Sequence, residues 1–197
     1  MTQRTILVGN ISEVIVRAGA DVVVTGFDGD QITAETNSHW GLKLERSKDE
    51  IKVQIGSSGQ VLVPFNHNIK ISAGKDLRVE GMRGDVTAVA GRHLVLKGIY
   101  RLVKASAGGR MDIDCDTLVE NDLKLSAGSD MRLYIHDLNN TLLQINDMGG
   151  HWDTRIGTAN RKIKLNAGGE VTLVTARQVE ALPPDYILGR VEKPSNP

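Results

Sequence analysis

Three acids at alternate positions, Asp112-x-Asp114-x-Asp116, form the most metal-like cluster in this sequence. Carboxylate oxygens are what a hard divalent cation takes as ligands. A calcium loop of that type needs glycine at its sixth place and an acid at its twelfth. Those places hold Thr117 and Leu123 here. On a strand the three acids would point the same way, about 7 Å apart between neighbours, which reads as a solvated face.

The other chemistry-bearing residues are dispersed. Arg83-Gly84-Asp85 spells a tripeptide that integrins bind, yet Asp28-Gly29-Asp30 repeats its setting, so a chain corner is the expectation. The histidines, at 39, 67, 93, 136 and 151, show no metal-ligand spacing. Cys115 has no basic neighbour in sequence to lower its thiol pKa, so it reads as a buried inert thiol. Gly56-Ser57-Ser58-Gly59 lacks the central serine with correctly placed glycines that a nucleophile elbow requires. Trp40 and Trp152 fall in the least regular stretches and are read as a local widening of the core. No catalytic residue, cofactor site or metal site is assigned.

The elements around these residues are far more regular than the residues themselves. Ala-Gly recurs at 18, 73, 90, 107, 127 and 167. Each copy is flanked by apolar residues four and two before the alanine and four and six after it. Ile69, Ile71, Leu77 and Val79 surround Ala73; Val86, Ala88, Leu94 and Leu96 surround Ala90. Strict two-residue alternation is the signature of strands with one buried face. Less regular copies are placed at Thr36-Asn37, at Ser57-Ser58, and at Asp147 with Trp152, Thr154 and Ile156 beyond it. In the first of these, asparagine at the glycine place fits a left-handed corner.

A near-constant step of alternating strands predicts stacked coils. The predicted fold is all-β: one β-solenoid of about nine coils of 16–21 residues over 1–175, followed by an irregular tail over 176–197. Nine coils at about 4.8 Å each give a rod about 40 Å long. Equivalent positions should form ladders: Leu77, Leu94, Met111 and Met131 in one, Val79, Leu96, Ile113 and Leu133 in another. Outward ladders of charge are predicted across coils at Glu80, Lys97 and Asp114, and at Arg78, Asp112 and Arg132. Asp21, Asp76, Asp130 and Glu170 share the third place after the alanine, where a short acid can accept corner amides. A narrow aliphatic core explains why aromatics make up only 4% of the chain.

Lys and Arg balance Asp and Glu at 24 each. Zero net charge argues against a nucleic-acid or anionic-membrane surface and permits self-association. One cysteine, no signal-like leader and no long apolar run lead to the expectation of a soluble cytoplasmic chain without membrane insertion. "RTILVGN" at the N-terminus is expected to form a partial end coil. In the tail, a short helix near 177–182 precedes Pro183-Pro184, and Tyr186, Ile187 and Leu188 could cap the chain's own end or dock on a neighbour.

Gly84-Asp85-Val86-Thr87-Ala88, preceded by Val79-Glu80-Gly81, resembles the repeating unit of the bacterial "putative adhesin" β-strand-repeat family, also called toastrack domains. The resemblance spans about residues 11–175. It implies a β-solenoid without catalytic residues and a role in interaction or envelope-associated scaffolding. Bactofilin-type polymer-forming solenoids are similar in coil length, though their motif is not matched residue for residue. The expected function is a non-enzymatic structural protein that self-associates as a homo-oligomer. The alternatives are an adhesin-like module for a glycan or protein partner, and a polysaccharide-active β-helix enzyme. Short corners argue against the enzyme, because converging carboxylates need long loops.

Overall fold

The computed structural model describes the backbone of residues 1–38, 41–118, 122–137, 141–147, 152–156, 161–169 and 171–175. Side-chain surroundings are described for 1–38, 41–102, 104–115, 125–134, 166–169 and 171. The predicted helix near 177–182 and the whole 176–197 tail lie outside the described residues. Among the described residues the chain is all-β, with 18 strands and no helix, so no helix is long and apolar enough to cross a membrane.

The strands line two walls around one core. The first wall holds β2 (Glu13–Ala18), β6 (Glu50–Ile55), β8 (Asn68–Ala73), β10 (Asp85–Ala90), the C-terminal half of β11 (Leu94–Ala107), β13 (Asp122–Ala127), β15 (Thr141–Asp147) and β17 (Arg161–Ala167). The second holds β3 (Val22–Phe27), β7 (Gly59–Pro64), β9 (Leu77–Glu80), the N-terminal half of β11, β12 (Met111–Leu118), β14 (Met131–Asp137) and β18 (Val171–Thr175). Within each wall these strands are parallel. The chain crosses from the first wall to the second at each Ala-Gly.

All six Ala-Gly copies stack in direct register: Ala18 on Ala73, Ala73 on Ala90, Ala90 on Ala107, Ala107 on Ala127, and Ala127 on Ala167. Both predicted apolar ladders form, Leu77–Leu94–Met111–Met131 and Val79–Leu96–Ile113–Leu133. Every one of those eight side chains is buried, and no aromatic residue is among the buried core residues described. Fully burying one such side chain stabilises the fold by roughly 1.5–3 kcal/mol.

The corner glycine has a different role from the one its sequence suggests. None of the corner glycines has positive φ; that conformation occurs at Gly9, Gly41, Gly81 and Gly98 among the described residues. The corner demands glycine because rows approach closely. A Cβ on Gly91 would overlap the carbonyl oxygen of Gly74, and one on Gly108 would overlap that of Gly91. The approach is held by amide bonds such as Gly91 N–H to Ala73 O at 2.9 Å and Gly128 N–H to Ala107 O at 3.0 Å.

The irregular copies depart from the predicted nine coils. Seven passes run parallel across both walls among the described residues, and they do not stack in chain order. β2 lies between β6 and β8. The copy at Thr36-Asn37 is no coil: β4 (Gln31–Thr36) runs antiparallel to β7, and β5 (Leu42–Arg46) antiparallel to β6. The anchor placed at Ser57-Ser58 belongs two residues earlier, because Ile55 pairs with Ala18 and Gly56 lies against Gly19. An antiparallel strand covers this outer row, so its corner accepts the larger Ile55. Asp147 does align with Ala167, but β16 (Trp152–Ile156) folds back antiparallel on β15 instead of crossing to the other wall. At the N-terminus, β1 (Thr2–Leu7) pairs antiparallel with β4 and closes that end of the second wall.

Candidate functional site

The corner between the two walls carries the densest set of potentially reactive groups. A depression of about 390 Å³ lies along it, lined in part by Asp21, Glu35, Ser58, Asp76 and His93. Asp21, Asp76 and His93 occupy the third place after the alanine in consecutive spatial rows. Stacking makes them neighbours although 72 positions separate the first from the last.

Their polar atoms form a chain of acceptors. Ser58 Oγ accepts the Asp21 N–H at 3.3 Å. Asp21 Oδ1 accepts the Asp76 N–H at 3.1 Å, and Asp76 Oδ1 accepts the His93 N–H at 3.2 Å. His93 Nδ1 in turn accepts the Arg110 N–H at 3.2 Å, which leaves the ring proton of the neutral imidazole on Nε2. Each side chain therefore satisfies the amide of the next row rather than a turn within its own row. The Arg92 guanidinium donates to Asp76 at 2.8 and 2.5 Å, and this pairing, aided by the His93 amide against the opposing effect of burial, lowers the Asp76 pKa to about 2. A carboxylate that acidic is a poor general acid or base near neutral pH. The arrangement ties row to row, and its chemistry is that of hydrogen-bond acceptance.

The residues singled out from the sequence remain apart. Asp112 is bonded to Arg110, with the guanidinium Nε 3.0 Å away, and Asp114 is also engaged. The Asp116 side chain lies outside those described. No group of three His, Cys, Asp or Glu side chains is placed to hold a metal ion among the described residues. Arg83 stacks on Phe65, 4.5 Å from the ring centre, and Asp85 pairs with Arg101 at 3.0 Å, so both charged ends of the Arg-Gly-Asp corner are engaged. Cys115 is fully buried. Ser57 Oγ faces Thr36 Oγ1 at 3.2 Å. His67 Nδ1 is buried without a hydrogen-bond partner among the described residues, beneath the Gly84 corner. His39, His151 and Trp40 lie outside the described residues, as do the side chains of His136 and Trp152.

The outward charges pair differently from the predicted ladders. Lys97 opposes Glu80 in register, but the Glu80 carboxylate bonds to Arg78 in its own strand at 2.7 Å. Asp112 likewise turns to Arg110, and Val95 separates Asp112 from Arg78. Residues two apart share a face, and a long arginine reaches along its own strand as readily as across. Two members of the corner chain, His93 and Arg110, stand at the same repeat position as the acids. Their alignment signals them, although their chemistry differs from that of an acid.

No protein-family model matches the chain, and no curated protein matches it. Among solved structures it is similar to the crystal structure of a "putative cell adhesion protein" from Clostridium sporogenes. The identity is 11%, the TM-score 0.42, and the match covers 89% of this chain and 99% of that one. The likeness to toastrack repeats accordingly rests on the short unit at 84–88.

Proposed function

We propose that this chain is a non-enzymatic structural and interaction protein, a β-solenoid rod that presents its walls and one end to partners. The corner chain carries the reading: the acids and the histidine that could do chemistry are bonded to backbone amides of neighbouring rows. Self-association belongs to this proposal, and the ends limit its form. At the N-terminal end β1 and β4 cover the second wall, β5 covers the first, and Arg46 donates to the Leu7 carbonyl at 3.2 Å between them. Antiparallel, charge-bearing end strands discourage further pairing. At the opposite end β16 likewise runs antiparallel on β15, so end-to-end association there is confined to the second wall, where β18 is outermost among the described strands, and stops at a pair, because an open filament needs two complementary ends. Light scattering over a concentration series, with electron microscopy, tests this. A dimer that saturates supports it; filaments overturn the capped end; a monomer at every concentration removes self-association. Turnover of an acidic polysaccharide by the purified chain would overturn the non-enzymatic reading.

A further inference from the structure

The strand register of the first wall aligns a row of lysines that the corner chemistry does not use. In the register of the wall, Lys52 lies beside Ile15, Ile15 beside Lys70, Lys70 beside Thr87, and Thr87 beside Lys104. Lys124 takes the next place, one residue before the Ala105–Leu125 pair, and Lys164 pairs with Lys124. Five lysines thus share one line across the strands. The first three stand two strands apart, about 10 Å, and the last three on adjacent strands, about 4.8 Å.

Charge along this line is unevenly compensated. Lys52 pairs with Glu50, and Lys70 with Glu13 at 2.9 Å. Exposed Lys104 makes no ion pair among the described residues. Lys104, Lys124 and Lys164 hold directly adjacent register positions, an arrangement that destabilises a sheet. A second row lies two residues further along each strand and is rich in hydroxyl and amide groups: Ser72, Ser106, Ser126 and Asn166, with Val89 between the first two. On the second wall Arg78 is bonded to Glu80 in its own strand, and Arg110, just before β12, is bonded to Asp112.

We propose that the lysine row is a binding site for a linear acidic polysaccharide laid across the strands of the first wall. The lysines meet its regularly spaced carboxylates or sulfates, and the serine row meets its hydroxyls. The site lies on a wall and not at an end, so it operates whatever the assembly state. A nucleic acid fits less well. Single strands are bound by aromatic stacking platforms, and neither row contains an aromatic residue.

The test is affinity electrophoresis of the full chain through gels containing polygalacturonate, with dextran as the neutral control and duplex DNA as the competitor. Expected is retardation by polygalacturonate alone, weakening as salt rises, and about a tenfold loss of affinity in the triple variant Lys104→Gln/Lys124→Gln/Lys164→Gln. Lys97→Gln on the second wall should leave it unchanged. The triple variant should melt no lower than the parent, because it removes like charges from adjacent register positions. If the triple variant does not fold, the single Lys104→Gln variant is read instead, with about a threefold loss expected. No retardation of the parent, an equal loss from Lys97→Gln, or tighter binding of duplex DNA would each overturn the proposal.

Discussion

The middle of the sheet stack and its N-terminal end solve opposite problems. In the middle, rows β8–β9 through β11–β12 stack parallel, and each row offers the next a copy of what it received: alanine on alanine, glycine on glycine, leucine on leucine. Such a surface propagates indefinitely unless something different covers it. At the end, β1, β4 and β5 run antiparallel, and buried hydroxyls enter where the buried side chains described in the middle are apolar. Thr33 and Thr36 are the buried polar residues among those described. Thr5 and Thr33 hydroxyls meet at 3.2 Å, and Thr36 Oγ1 donates to the Ser58 carbonyl at 2.8 Å. The difference shows that stacking is held by shape and repetition, and stopping by directional bonds that fit only one partner.

The largest effects should come from the core ladders, where the contrast is steepest. Leu96, buried between Val79 and Ile113, has apolar neighbours in the rows on both sides. Leu96→Ala is expected to destabilise by about 4 kcal/mol, whereas Leu42→Ala on end strand β5 should lose about 2 kcal/mol. Urea denaturation of both variants checks this, and equal losses would erase the distinction. Next come the glycines. Gly91→Ala forces a Cβ against the Gly74 carbonyl inside a stack that cannot shift one row alone, for a loss of about 3 kcal/mol. At the end, the Cβ of Gly9→Ala meets only the flexible Arg46 guanidinium, so the loss should be about 1 kcal/mol, mainly from the left-handed backbone at φ 54°.

This contrast also marks what was readable in the residues. Alternation around Ala-Gly specified strand positions, the direct register of all six corners and both apolar ladders, because a parallel stack repeats its own pattern. The ends were opaque for the same reason. Ile32, Ala34 and Thr36 alternate as well as any coil residues do, and alternation does not distinguish a parallel neighbour from an antiparallel one. Gly56 escapes the pattern because Ile55 stands where the other corners have alanine. The corner chain is half legible: Asp21 and Asp76 share the third place after the alanine as acids, but His93 serves the same bond through a different atom. The lysine row was present in the repeat register, at the third residue before each corner alanine, in Lys70, Lys104, Lys124 and Lys164. It could be recognised as a row only when the register between β13 and β17 skipped the intervening β15.

A smaller effect separates directional from shape-based holding. Thr36→Val keeps the volume but removes the donor to the Ser58 carbonyl, and should destabilise by about 1–2 kcal/mol. The same hydroxyl-to-methyl exchange at Thr87, on the outward face of the middle, should change stability by less than about 0.5 kcal/mol. Comparable losses at the two positions would mean that the end is held by packing, like the middle.

The smallest expected effect lies in the corner chain and depends on pH. Asp76 has a folded pKa of about 2, below the usual carboxylate value of 3.8. Its contribution is therefore complete above about pH 4 and is lost as pH falls toward 2, because the folded state resists a proton that the unfolded state accepts. With 38% of the Asp76 side chain exposed, solvent screening holds that contribution below about 1 kcal/mol. Asp76→Asn keeps an acceptor for the His93 amide and gives up the charge that Arg92 bonds. At pH 7 the variant should be slightly less stable than the parent, and the two should converge as pH falls through this window. Urea midpoints at pH 7 and near pH 2 measure the difference. A gap that stays constant with pH would assign the corner bond to the neutral acceptor alone. The middle of the stack would then owe nothing to the Asp76 charge, and that corner acid would be no different in kind from Ser58.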